Sequence, residues 1–146
     1  MKIGQSIQDI QIGDEARQSK TITQEDVEQF GDIIQDHNPA HFDEDYAKQT
    51  MFKTRISHGM LVGSLFSGLI GTKLPGNGTI YTKQSLKFTN PVYFNDVITA
   101  TITVTHINTD KNRVTLDCKA VNQDGEVVIV GEAEVMPPKK QEHNDE

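Results

Sequence analysis

The sequence predicts an α+β fold in which an antiparallel sheet covers one buried helix, and three observations lead to it. Residues 58–71 form a run almost free of charge, and a helix that is apolar on every face belongs inside a protein. The run is too short to cross a bilayer, so a core helix accounts for it better. From residue 79 onward the pattern turns extended: Ile98, Ala100, Ile102 and Val104 alternate with Thr99, Thr101, Thr103 and Thr105, the two-residue period of a strand with one buried face. Turn signals at residues 108–112 and at Asp124-Gly125 separate the later extended segments, so that successive strands fold back on one another.

The first element starts at Thr23, where Thr23-Gln24-Glu25-Asp26 resembles a capping box and Val27, Phe30, Ile33 and Ile34 recur at helical spacing. That helix ends near Gln35. Proline disfavours helical backbone in the residue before it, so Asn38-Pro39 blocks continuation and residues 36–42 read as a shaped loop. Asp43 is placed to cap a short helical turn over residues 44–48. In the apolar helix, Gly59, Gly63, Ser64, Ser67 and Gly68 are poor helix formers, which implies that another element or a ligand approaches the backbone closely. After the turn Pro75-Gly76-Asn77-Gly78, a strand is expected over 79–88, then a short extended piece near 92–94 beyond the Asn90-Pro91 break, and further strands over 98–105, 113–122 and 126–135. Pro137-Pro138 closes the order, giving one domain over residues 1–137 and a flexible polar tail over 138–146. One sheet wrapped on one helix leaves open edges, and pairing with a second copy would cover them, so a homodimer is expected.

With 146 residues the chain can bury a real core in one domain. A net charge of -7 without a basic cluster excludes a nucleic-acid binder, but leaves open a nucleotide-bearing small ligand that needs only a few local cations. The first residues lack the apolar run of a signal peptide and no membrane span is visible, so a cytoplasmic location is expected. Cys118 is the only cysteine, which allows no internal disulfide and suits a reducing compartment; its alternating neighbours make it strand filler.

Most candidate chemistry falls between residues 36 and 67. Asp36 and His41 sit five positions apart on a segment stiffened by Pro39, where a carboxylate and an imidazole can converge as an acid/base pair. The same residues allow a plainer reading, with Asp36 capping a turn and His41 on the surface. Ser57-His58-Gly59-Met60 opens the apolar helix, whose free amides suit a developing oxyanion, and Gly59 would let a substrate approach; alternatively Gly59 only permits the turn and His58 only packs. Ser67 could hydrogen-bond an active-site side chain or serve close packing. His37 and His41, with Asp43 and Asp45 behind, are weighed as metal ligands, but Pro39 breaks the helix that would align the histidines, and the calcium-loop glycine and glutamate are missing. No metal and no cofactor are expected. A nucleophile elbow, a phosphate-cradling glycine loop and a dinucleotide fingerprint are all lacking.

Phe30-Gly31-Asp32, then Asp36-His37-Asn38-Pro39-Ala40-His41-Phe42-Asp43, and then Ile56-Ser57-His58-Gly59-Met60 with the helix that follows resemble the signature of MaoC-like (R)-specific enoyl-CoA hydratases. The likeness extends through Leu74-Pro75-Gly76, Ile80-Tyr81, residues 84–88 and Pro91-Val92, and so covers most of residues 23–136. The resemblance implies a hotdog fold, a dimer with its sheets joined side by side, an active site at the subunit interface, and hydration of trans-2-enoyl-CoA to (R)-3-hydroxyacyl-CoA. It assigns the catalytic pair to Asp36 and His41, the oxyanion amide to Gly59, loop support to Ser67 and the loop's shape to Asn38, whose side chain is also a candidate for a bond in the site. Ala40 departs from the larger aliphatic residue common there, which bears on loop packing or the pocket wall. The substrate would arrive as an acyl-CoA or on acyl carrier protein, with Lys53, Arg55 and Lys83 as candidate phosphate contacts. A hotdog thioesterase and a non-catalytic acyl-thioester-binding dimer are the competing readings.

Overall fold

The structure, a computed structural model, describes residues 1–140; the part of the expected flexible tail from residue 141 onward lies outside the described residues. Five strands, β1 (Glu15–Thr21), β2 (Ile80–Phe88), β3 (Val97–Asn108), β4 (Arg113–Val121) and β5 (Val127–Met136), form one antiparallel sheet in the order β1-β3-β4-β5-β2. Four helices, α1 (Gln24–Ile34), α2 (Pro39–Phe42), α3 (Glu44–Ala47) and α4 (Gly59–Thr72), lie between β1 and β2 in sequence. The sheet wraps α4, which packs against β3, β1 and β2, and this is the hotdog arrangement that the resemblance implies.

The core is what the alternation requires. Ile98, Ala100, Ile102 and Val104 of β3 and Val114, Leu116, Cys118 and Ala120 of β4 all point inward and are buried, facing Val62, Phe66, Leu69 and Ile70 of α4. Burial pushes the Cys118 thiol up to about 11, so it stays a neutral core group. Asn112 and Gly125 take positive φ at the two tight turns that join β3, β4 and β5. The capping box at Thr23 forms in full, with Thr23 Oγ1 accepting from the Asp26 amide and the Asp26 carboxylate accepting from the Thr23 amide.

Three expectations are corrected. Residues 36–42 are not all loop: Asn38 Oδ1 accepts the Ala40 amide at 3.0 Å and Pro39 occupies the first turn, so the four residues of α2 close into a helical turn. The sheet does not simply follow the helix, because β1 precedes it and forms an edge against β3; its sequence is almost wholly exposed and so carries no apolar period. Nor is α4 covered on every side. Met60 is 57% exposed, and Ser64, Ser67 and Gly68 also face outward, leaving a strip of small residues that the chain's own sheet does not reach.

Candidate active site

The site is built where the segment after α1 meets the start of α4. Gln35 takes a left-handed conformation (φ 61) that ends α1, and the Asp36 amide bonds back to the Gly31 carbonyl. Gly31 is required there, because a Cβ would run into the Phe42 ring and the Asp36 carbonyl. Asp36 Oδ1 then accepts the Asn38 amide at 3.1 Å, which directs the carboxylate across the turn. Asn38 is exposed and its oxygen caps α2, so its part is to shape the segment; among the described residues it makes no other side-chain bond.

Within α2, His41 stands in the turn that Asn38 caps. Its Nδ1 lies 2.7 Å from the Ile56 carbonyl oxygen, which can only accept, so Nδ1 carries the hydrogen and Nε2 keeps a lone pair. Burial, first of all, holds the imidazole below the usual histidine range; the bond to Ile56 and the Asp36 charge oppose this, while His58 and the Arg55 guanidinium add to it. His41 is therefore neutral near pH 7, with Nε2 free to take a proton.

His58 completes the cluster, and sequence reasoning gave it no catalytic part. It is 2% exposed, its ring centroid is 4.0 Å from that of His41, and its Nε2 donates to the Asp36 backbone carbonyl at 3.0 Å. Ligand atoms of Asp36, His41 and His58 lie within 4.8 Å of one another. Two groups that share a water at about 2.8 Å each stand about 4.6 Å apart at a tetrahedral angle, so one water can bridge members of this cluster. Tetrahedral zinc would draw its ligands to about 3.3 Å from each other, whereas Asp36 Oδ2 and His58 Nε2 are 4.0 Å apart. His37, weighed from sequence as a metal ligand, is instead exposed and paired with Asp32 at 2.7 Å.

His41 and Gly59 line one cavity of about 520 Å³, together with Met51, Phe52, Phe88 and Val92. Gly59 is the first residue of α4, which begins without a side-chain cap, so its amide remains available to a ligand. A Cβ on Gly59 would come within 2.6 Å of the Phe88 ring. Arg55, expected as a candidate phosphate contact, is committed elsewhere: Nε donates to the His41 carbonyl at 2.7 Å, Nη2 pairs with Glu28, and the side chain is only 11% exposed. Lys53 and Lys83 are exposed, the latter 4.0 Å from Glu134. Ser67 is exposed and does not line the cavity, and among the described residues it makes no side-chain hydrogen bond, so a single chain does not bring it to Asp36.

An antiparallel sheet wrapped on a helix, with a histidine that lines an apolar cavity and an aspartate grouped beside it, defines a class of hotdog protein. The MaoC like domain family matches residues 8–125, and the chain belongs to that family. It is 49% identical over 131 residues to an (R)-specific enoyl-CoA hydratase of Rhodospirillum rubrum, covering 90% of each chain. Among solved structures it resembles the (R)-hydratase from Aeromonas caviae involved in PHA biosynthesis, with a TM-score of 0.87 and 43% identity over 90% of this chain and 99% of that one. It also resembles an R-hydratase of Pseudomonas aeruginosa, with a TM-score of 0.88 and 40% identity over 94% and 88% of the two chains.

Proposed function

We propose that this chain is an enoyl-CoA hydratase, a hydro-lyase that adds water to trans-2-enoyl-CoA to give (R)-3-hydroxyacyl-CoA and catalyses the reverse dehydration. The observation that carries the reading is the free Nε2 of a neutral His41, grouped with Asp36 and opening on an apolar cavity whose wall includes the uncapped start of α4.

A water held between Asp36 and His41 gives a proton to His41 Nε2 as its oxygen bonds to C3. The electron pair of the double bond moves toward the thioester, and the charge that develops on the carbonyl oxygen is met by the Gly59 amide. C2 then takes the proton back from the imidazolium, so that water's two parts end on C3 and C2 and the enzyme is unchanged. Asp36 orients the water and stabilises the charged imidazole. The (R) outcome is inferred from the names of the relatives.

The proposal includes a domain over residues 1–137 and a homodimer. The dimer is supported by the open edge at β2, where Ile80, Tyr81 and Phe88 are exposed, and by the uncovered face of α4. On this reading Ser67 meets the catalytic loop of a second copy rather than its own. Among the described residues no helix is long and apolar enough to cross a membrane. A cytoplasmic location is proposed on the strength of the single reduced thiol, and cell fractionation tests it.

Purified protein is mixed with crotonyl-CoA and the loss of enoyl-thioester absorbance is followed beside Asp36→Asn. Loss without thiol release, reduced about 10²- to 10⁴-fold in the variant, is expected. Thiol release would identify a thioesterase, no turnover with retained binding would identify a binding module, and a loss confined to acyl carrier protein thioesters would change the carrier.

A further inference from the structure

His58 breaks the local rules of its position. A residue preceding the first turn of a helix ordinarily bonds its side chain to the free amides behind it, and His58 makes no such bond. Its ring is turned the other way, among Phe30, Phe42 and His41, with centroids 5.2, 6.2 and 4.0 Å away. Nε2 donates to the Asp36 carbonyl, whereas Nδ1 is buried and has no hydrogen-bond partner. A histidine kept only for packing would be replaced at no loss by an apolar ring, and one kept only for capping would face the helix. What this geometry serves is the pair it touches: one bond fixes the backbone of Asp36, and one ring face backs the imidazole of His41.

We propose that His58 is a positioning residue for hydration, holding the Asp36 carbonyl by its N–H and the His41 ring by its face so that carboxylate and imidazole bear on the same water. The inference rests on the hydratase reading. It has a second consequence, because a neighbouring imidazole opposes the charging of His41. The other groups facing His41 are Asp36, which favours its charge, and Arg55, which opposes it and is itself paired with Glu28 of α1; His37 stands aside on Asp32.

Two variants separate the contacts. His58→Gln keeps a donor within reach of the Asp36 carbonyl and loses the ring, whereas His58→Phe keeps a ring against His41 and loses the donor. With crotonyl-CoA, His58→Phe is expected to lose at least about tenfold in kcat with KM within about twofold, and His58→Gln to recover part of that loss. In His58→Gln the acid limb of kcat/KM moves to higher pH, and a parallel rise is read from His41 by NMR titration without any turnover. Activity of both variants within twofold of the parent, or a fall with neither limb nor titration moved, overturns the proposal. If the parent itself fails to hydrate, the functional reading fails alone, because the NMR shift still tests the coupling of the two rings. If His58→Phe does not fold, His58→Gln against the parent carries the test by pH.

Discussion

Replacing Asn38 with alanine separates what α2 contributes to stability from what it contributes to catalysis. The side-chain oxygen accepts the Ala40 amide at 3.0 Å and so closes the only turn on which His41 stands. A single helical turn does not hold itself, since nucleation is unfavourable and one turn gains few bonds. Loss of a helix cap costs about 1 kcal/mol, which for a chain of this size lowers Tm by about 3 °C. Even if the parent sits at about 5 kcal/mol, the low end for small proteins, about 99.9% of the variant remains folded at 25 °C. Unfolding therefore cannot account for lost activity. A displacement of His41 by about 1 Å can, and it lowers kcat by about 10- to 100-fold. Asn38→Ser, which restores a capping oxygen, should recover most of both losses. Thermal unfolding and crotonyl-CoA hydration measured on the same preparations test this. A Tm drop of the expected size with unchanged kcat would refute the claim that the cap positions His41, and an unchanged Tm would refute the cap itself.

Gly59→Ala forces a methyl group within 2.6 Å of Phe88, a half-exposed ring that swings away at little cost in stability, so the expected effect is on substrate approach to the α4 amide. kcat/KM should fall by about 10-fold or more while Tm moves by only a few degrees, and full activity would remove Gly59 from the oxyanion role. The pH dependence follows from His41: burial lowers its pKa, so the acid limb of kcat/KM should lie below the ordinary histidine value, and a limb at or above about 6.5 would contradict it. The sign for stability is the same. As pH falls through the usual histidine range, the unfolded chain takes up a proton that the native site resists, so the native state is destabilised, and His41→Gln should flatten that part of the denaturation profile.

Much of this site could be read from the chain because its parts are local. Thr23 with Asp26, Asn38 with Ala40, and Asp43 with Tyr46 are caps whose donors and acceptors lie two or three residues apart, so the starts of α1 and α3 are legible in the sequence, whereas α2 is a single turn too short to show a helical period. The inward row of β3 was equally plain, because alternation is written into consecutive residues. Strand β1 was not, since Glu15–Thr21 is an exposed edge held to β3 chiefly by backbone pairing, with exposed side-chain bonds such as that between Ser19 and Thr99, and backbone pairing leaves no mark on side-chain type.

By itself the sequence determined the α+β architecture, the apolar helix and the later strands, because propensity, capping and periodicity act over a few residues, while its resemblance to the MaoC-like hydratases pointed to Asp36 and His41. Only the tertiary structure decided what those residues meet. It placed His58, from twenty-two positions further along, under the Asp36 carbonyl; it fixed the tautomer of His41 through Ile56, fifteen positions away; and it turned Arg55 inward onto the His41 carbonyl. These contacts join segments that the chain keeps apart, and a contact between distant segments exists only once the sheet and α4 have packed.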